Sequence, residues 1–205
     1  MTTVSAASPT RAPDAYSSAL WLVRHAQPLI ASGVCYGATD MPADEAATKR
    51  AALALAQQLP IGARLFSSPL QRCRQLTQAL LVLRADLKAD IEPRLVEMDF
   101  GCWEGQRWDA IPKTAIDAWT ADFGGLCFGG GESVQTLLDR VAGIWDASRK
   151  SNKQTVWITH AGVMRAALLL QQNIRTVQRG DQWPRQTLEF GACHRLAWPA
   201  DAAPV

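Results

Sequence analysis

Two of the three histidines in the sequence directly follow short apolar segments. His25 follows Leu20–Arg24, and His160 follows Thr155–Thr159. Both segments are typical of strands that are buried on both faces of a parallel sheet. Because ligands bind at the carboxyl ends of the strands in open α/β sheets, the two histidines predict a shared ligand site at that edge. The alternative interpretation is that each imidazole only satisfies the polar end of a buried strand.

Two arginines could bring positive charge to the same edge. Arg24 directly precedes His25, and Arg72 falls in the first turn of a helix that Ser68-Pro69 is predicted to open, with Ser68 as its N-cap. A helix N-terminus attracts anions, and a guanidinium group donates paired hydrogen bonds to phosphate oxygens. The pattern therefore predicts a phosphate site. The alternative for Arg72 is an exposed side chain that makes surface contacts only.

The elements that must position these residues alternate between strand and helix along the chain. Repeated strand–helix units predict an α/β fold, a three-layer α/β/α sandwich with a mostly parallel central sheet. We expect residues 1–18 to form a disordered tail, residues 19–198 a single domain and residues 199–205 a second short tail. Besides the segments above, the predicted elements are a helix at Ala46–Leu59, a strand at Arg64–Ser67, a helix behind the N-cap Ser133, a helix from Val163 to about Gln171 and a strand at Cys193–Trp198, with loops and short helices over Glu97–Gly131.

The composition narrows the class of protein. The chain of 205 residues is 48% hydrophobic and 20% charged, with a formal net charge of +2. This balance is ordinary for a globular domain and argues against nucleic acid or a membrane as a partner. Five cysteines without a Cys-x-x-Cys motif, and an N-terminus without a signal-peptide segment, predict reduced thiols and a cytoplasmic location. The oligomeric state stays open, a homo-oligomer included.

Four segments, in the right order, resemble the signature of a known family. Leu22–Ala26 resembles the Arg-His-Gly segment of the histidine phosphatase superfamily, which includes the phosphoglycerate mutases. Ser67–Cys73, Glu97–Gly105 and Thr159–Val163 resemble the second segment, the acid-bearing loop and the second histidine segment of that family. The resemblance implies the phosphoglycerate mutase-like form of the predicted sandwich, and it runs from about residue 20 to residue 197.

The resemblance also implies a role for each residue. His25 would attack the phosphorus atom and become a phosphohistidine. Arg24 and Arg72 would bind the phosphate oxygens and neutralise their charge, and His160, if protonated, would be a further donor. Glu97 would protonate the leaving alcohol and then accept a proton from the hydrolytic water. These roles describe a phosphoric monoester hydrolase.

Further residues complete the implied site. Gln27, Ala161 and Ser133 are expected to contact the substrate, a small phosphorylated molecule. Asp99 and Glu104 are weaker alternatives to Glu97 for the acid. No cofactor and no metal ion are expected.

Three loops resemble the alpha-ribazole phosphatase subgroup of the superfamily, namely Gly33–Asp40, Trp103–Gly105 and Gly130–Ser133. This finer resemblance implies alpha-ribazole 5′-phosphate as substrate, in assembly of the cobalamin nucleotide loop. The alternatives within the superfamily are a phosphoglycerate mutase and a broad-specificity sugar phosphatase. The alternative of another class is a non-catalytic phosphate-binding protein.

Three positions depart from the family pattern. Ala26 stands where the family has glycine, which requires a backbone that alanine can adopt. Pro28 and Ala31 stand where many relatives carry threonine and asparagine, and Gln27 could replace one of these donors.

The middle segment contains three tryptophans, Trp103, Trp108 and Trp119. Tryptophans are more often core residues than ligand contacts. They could instead wall the pocket against an aromatic base.

Overall fold

Five strands form one sheet in the computed structural model, which describes residues 18–151 and 153–198. The strand order is β3-β2-β4-β1-β5; β1 to β4 pair in parallel and β5 runs antiparallel beside β1. The predicted tails, apart from Ser18, lie outside the described residues. The strands are β1 (Ala19–Arg24), β2 (Arg64–Ser67), β3 (Lys88–Ile91), β4 (Thr155–Thr159) and β5 (Cys193–Ala197).

Helices cover both faces of the sheet. Successive side chains of a strand point to opposite faces, so Leu22 packs with α4 and α5, whereas Val23 packs with α1 and α2. This confirms the predicted α/β sandwich with a mostly parallel sheet. The helices are α1 (Glu45–Gln58), α2 (Gln71–Leu83), α3 (Lys113–Ala121), α4 (Val134–Lys150) and α5 (Ala161–Gln171), with short 3-10 turns at Pro93–Leu95, Gly101–Trp103, Trp108–Ala110, Phe128–Gly130 and Gly180–Gln182.

The start of α2 differs from its prediction. The helix begins at Gln71, and Ser68 is not its N-cap, because the backbone at Leu70 is still extended. The backbone N–H of Gln71 is instead capped from a distant loop by Asp40 Oδ1 at 2.6 Å. The Ser68 hydroxyl accepts the Leu70 N–H at 3.3 Å and lies 2.8 Å from His160 Nε2.

The other elements follow the sequence closely, except β3. Strand β4 has the predicted bounds, and Ser133 caps α4 by accepting a hydrogen bond from the Thr136 N–H. The unpredicted strand β3 lies at the sheet edge with mostly exposed side chains, so it lacks the apolar pattern of a buried strand. Within residues 18–151 and 153–198, each helix is too short or too polar to cross a membrane.

Candidate active site

The two histidines lie side by side at one edge of the sheet. Strands β1 and β4 pair in parallel with Arg24 opposite Thr159, so His25 and His160 leave the sheet at adjacent positions. Their ring centroids are 5.0 Å apart, and the two residues are 1% and 0% exposed. The two imidazoles therefore lie together at this edge of the sheet, as the sequence predicts.

The His25 ring is held in one tautomer. Its Nδ1 lies 2.7 Å from the Ala26 carbonyl oxygen, which only accepts, so Nδ1 carries the proton and Nε2 carries the lone pair. Burial, followed by the positive charge of Arg72, lowers the pKa of His25 to about 3. The imidazole is neutral at neutral pH, as a nucleophile must be. Among the described residues other than glycine, only Asn173 has a positive φ, so Ala26 fits its backbone without strain.

His160 is also neutral in the free protein. Burial is the main cause that lowers its pKa well below the ordinary value, followed by the repulsion that two protonated histidine rings would exert on each other and by the charge of Arg72. Its Nε2 contacts the Ser68 hydroxyl at 2.8 Å and Cys73 Sγ at 3.4 Å. Its Nδ1 is buried and has no hydrogen-bond partner within the part of the chain that the structure describes. A neutral imidazole can donate one N–H to a phosphate oxygen, and Nδ1 is the nitrogen available for that bond.

Arg72 is fully buried and clamped by backbone carbonyls. Its Nη1 donates to the Thr39 carbonyl at 2.8 Å and its Nη2 to the Gly37 carbonyl at 2.6 Å. Two bonds on separate nitrogens fix the plane of the guanidinium. The exposed surface role considered for Arg72 is thereby excluded, and its charge acts on both histidines.

Arg24 is fixed by other contacts. Its guanidinium carbon lies 3.7 Å from the centroid of the Phe190 ring, and Nη1 donates to the Leu188 carbonyl at 2.6 Å. Burial lowers the pKa of Arg24 from its ordinary value, but a guanidinium remains charged at neutral pH. The Nε atoms of both Arg24 and Arg72 are buried without a partner among the described residues, so each has an N–H to offer an anion.

Tyr36 joins the site, although its position in the sequence predicted no role. Its hydroxyl lies close enough to Arg24 for the two groups to influence each other's pKa, and its ring centroid lies 5.6 Å from the guanidinium carbon of Arg72. Burial raises the pKa of Tyr36 despite the two arginines, so the phenol keeps its proton. Nothing in the sequence predicts that Tyr36 contacts the two arginines, because its spacing from them follows no recognisable pattern.

Glu97 meets the start of α5. Its Oε2 accepts the Gly162 N–H at 3.0 Å, and its Oε1 accepts the N–H of Met98 at 3.0 Å. Gly162 is needed for this approach, because a Cβ there would lie 2.3 Å from Glu97 Oε1. The charge of Glu97 acts on Arg24 and Tyr36, so the carboxyl belongs to the same pocket.

The two other carboxyl groups considered for the acid have different contacts. Glu104 accepts hydrogen bonds from the backbone of Ala38, Thr39 and Phe100 and from the Thr39 hydroxyl. Asp99 is exposed and accepts the Gly101 N–H at 2.8 Å. Of the three carboxyl groups, Glu97 is the one that meets the helix directly behind His160.

The three residues expected to contact substrate lie in three different environments. Gln27 is exposed and lines a cavity of about 430 Å³ together with Ala26 and Phe190. Ala161 lines a different cavity, beside Glu97. The structure does not bring the Ser133 hydroxyl to the site, because that group is buried as the N-cap of α4.

The cavity beside Glu97, which we call the aromatic cavity, has a volume of about 170 Å³. Of the three tryptophans considered as pocket walls, Trp119 lines it, whereas Trp103 and Trp108 pack against Phe128. Sequence reasoning missed the other aromatic walls because nothing in the local pattern distinguishes them from core residues. These walls are Phe100, Phe123 and Trp183.

A neutral imidazole with a free Nε2, two buried guanidinium groups and a nearby carboxyl define a site for phosphoryl transfer. Such a fold and site characterise phosphoesterases that act through histidine. The family model described as the histidine phosphatase superfamily (branch 1) matches residues 20–186, and the chain belongs to this superfamily.

Known proteins agree with this assignment. Phosphoserine phosphatase 1 from Hydrogenobacter thermophilus is 32% identical over 158 residues, which cover 72% of each chain. The structure of TTHB049 from Thermus thermophilus is 28% identical, with a TM-score of 0.68 over 88% of this chain and 94% of that one. A mycobacterial glucosyl-3-phosphoglycerate phosphatase, 22% identical with a TM-score of 0.66 over 77% of this chain and 81% of that one, shares the fold. The protein is a phosphoric monoester hydrolase.

Proposed function

We propose that the protein hydrolyses phosphomonoesters through a phosphohistidine at His25, with protein side chains acting in every step. The observation that carries this proposal is the state of His25, neutral and with Nε2 as its free nitrogen. The His160 ring lies 5.0 Å from the His25 ring, and the charges of Arg72 and Arg24 act on His25, so an anionic phosphoryl group there meets both a nucleophile and compensating charge.

In the first step, His25 Nε2 attacks phosphorus in line with the leaving oxygen. The N–P bond forms as the P–O bond breaks, and protonated Glu97 gives its proton to the leaving alcohol. Arg24, Arg72 and His160 donate hydrogen bonds to the equatorial oxygens. The positive charge that develops on the imidazole is stabilised through Nδ1–H by the Ala26 carbonyl.

In the second step, water replaces the alcohol. The Glu97 carboxylate accepts a proton from water while the water oxygen attacks phosphorus and the N–P bond breaks. Inorganic phosphate leaves, His25 regains its lone pair, and Glu97 is protonated for the next cycle.

For the substrate, alpha-ribazole 5′-phosphate is our candidate. Its support is the resemblance of Gly33–Asp40 to the alpha-ribazole phosphatase loop, and this loop supplies the two carbonyls that clamp Arg72. Phosphoserine is the second candidate, because the relative from Hydrogenobacter thermophilus carries that name.

Chemical trapping tests the mechanism. Incubation with a ³²P-labelled phosphomonoester, followed by quenching, is expected to leave an acid-labile, base-stable label on the protein. His25→Ala should lose both label and activity, whereas the matched control His194→Ala, on strand β5, should keep both. Equal hydrolysis by the wild type and His25→Ala would overturn the mechanism.

A substrate panel tests the specificity. The panel comprises alpha-ribazole 5′-phosphate, phosphoserine, sugar phosphates and 3-phosphoglycerate, compared by kcat/KM. We expect alpha-ribazole 5′-phosphate to be preferred and 3-phosphoglycerate to release phosphate without isomerising. A preference for phosphoserine would replace the candidate and leave the mechanism standing.

A further inference from the structure

We propose that the aromatic cavity is the leaving-group subsite and that it holds a planar aromatic ring attached to the alcohol side of the phosphomonoester. The inference rests on the proposed function, since it needs Glu97 to be the acid. It deepens that function by naming the chemical class of alcohol that the enzyme selects.

The position of the cavity supports this assignment. Glu97 must reach the leaving oxygen to protonate it, so the rest of the alcohol begins beside the Glu97 carboxyl. The aromatic cavity adjoins that carboxyl and also contacts Ala161 and Gly162, which directly follow His160. A group that extends from the leaving oxygen can therefore enter the cavity while the phosphoryl group stays with the histidines.

The size of the cavity selects a ring. Its volume of about 170 Å³ is close to the roughly 150 Å³ of an apolar cavity that binds benzene. Pockets for drug-sized ligands are larger, roughly 300–1,000 Å³. The cavity thus accommodates one ring system, and a sugar or linker must lie outside it.

The walls of the cavity are held in place before any ligand binds. Trp119 stacks on Phe128 and on Phe123, with centroid distances of 4.5 and 5.4 Å, and Phe123 meets the edge of Trp183 at 6.1 Å. A prearranged aromatic wall binds a planar ring with little loss of side-chain freedom.

Two polar groups at the cavity limit what kind of ring fits. The Trp119 indole Nε1 is buried without an acceptor among the residues described, so a ring with an acceptor atom could satisfy it. Arg165 also lines the cavity, with its Nε bonded to the Pro184 carbonyl at 2.9 Å. Its positive charge also lies close enough to lower the pKa of Arg24, so it acts on both the cavity and the phosphate pocket. A cationic alcohol is disfavoured there.

Two matched substrates test the proposal. 2-(1-Naphthyl)ethyl phosphate and n-butyl phosphate are both esters of primary alcohols, so the leaving oxygens have similar basicity and differ mainly in the attached group. Wild-type kcat/KM should be at least about tenfold higher for the naphthyl ester, the range that apolar pocket contacts give. Trp119→Leu should remove most of this preference, with a clearly larger loss on the naphthyl ester than on n-butyl phosphate.

Controls separate the cavity from general effects on folding. Trp108→Leu changes a tryptophan of the neighbouring aromatic cluster that does not line the cavity, so it should keep the preference. If Trp119→Leu fails to fold, Leu137→Phe, which fills the cavity from α4, should lower the naphthyl rate selectively.

Three outcomes would overturn the subsite. They are equal wild-type rates on the two esters, an equal loss on both esters in Trp119→Leu, and a preference for carboxylate-bearing alcohols that Arg165→Gln abolishes. Failure of the proposed function looks different, because no ester would then label His25. If n-butyl phosphate labels His25 but the naphthyl ester is not preferred, the proposed function stands and only the subsite proposal is wrong.

Discussion

Gly162 is the residue at which a single methyl group would displace the proposed acid. A Cβ there would lie 2.3 Å from Glu97 Oε1, and the residue sits in the first turn of α5, where alanine is otherwise favourable. We expect Gly162→Ala to fold normally and to lose roughly 100-fold in kcat/KM on an alkyl phosphate, since a general acid contributes at least about that much.

The leaving group gives this prediction its control. p-Nitrophenol leaves without help from an acid, so Gly162→Ala should lose less than about tenfold in kcat/KM on p-nitrophenyl phosphate, since kcat/KM reports the steps up to phosphorylation of His25 and not the later attack of water. Glu97→Gln should show the same dependence on the leaving group. Steady-state kinetics on the two substrates measure both, and an equal loss on both in Gly162→Ala would contradict the displacement of Glu97.

At the scale of elements, Glu104 joins the loop after β1 to the acid-bearing segment. It accepts the N–H groups of Ala38 at 2.8 Å and Thr39 at 2.6 Å, and that of Phe100 at 3.0 Å. Burial raises the pKa of Glu104, but these hydrogen bonds and the one from the Thr39 hydroxyl outweigh it, and the group stays ionised. The same loop holds Arg72 through its carbonyls, so Glu104 is a positioning residue for that guanidinium.

We expect Glu104→Gln to lower kcat/KM about tenfold, because hydrogen bonds to a charged group contribute roughly 1.5–3 kcal/mol each and the neutral amide retains part of them. If Glu104 acts through Arg72, the double variant with Arg72→Ala should lose no more activity than Arg72→Ala alone. Inhibition by inorganic phosphate should weaken in parallel. Asp99→Asn, an exposed carboxyl on the same segment, serves as the control, and additive losses in the double variant would exclude coupling.

How far the sequence predicts these elements depends on the range of the contacts. Strand β4 and the placement of His25 and His160 follow from local apolar patterns, because parallel strands bring their carboxyl ends to one edge. The start of α2 could not be found locally, because its cap, Asp40, comes from 31 residues away. The two carbonyls that hold Arg72 also come from a distant part of the chain. Arg72 could therefore be identified from the sequence, but the groups that contact it could not.

The aromatic cavity shows the same limit on a larger scale. Its lining comes from α3 and the residues just after it, from the acid-bearing segment, from α4 and α5, and from residue 183. Any one of these tryptophans or phenylalanines is, by type, an ordinary core residue. Only the packed fold shows which of them surround open space beside Glu97.

For the whole molecule, the buried histidines link the active site to stability against acid. The folded-state pKa of His25 is about 3 and that of His160 is well below its ordinary value, whereas both titrate near 6.5 when the chain is unfolded. Below pH 6.5 the unfolded chain therefore binds more protons than the folded one, and stability falls as the pH is lowered towards 3. Their contribution to stability is fully present above pH 6.5.

The interval from pH 6.5 to 5 largely isolates this effect, because most aspartates and glutamates stay ionised there in both states. Each buried histidine should lower the free energy of unfolding by about 1.5 kcal/mol across that interval. Urea unfolding at several pH values measures the loss, and His25→Gln, which cannot titrate, should show about half of it. Burial keeps both histidines neutral, and His25 must be neutral to act as a nucleophile. Equal losses of stability in the wild type and His25→Gln would therefore contradict the protonation state on which the proposed chemistry depends.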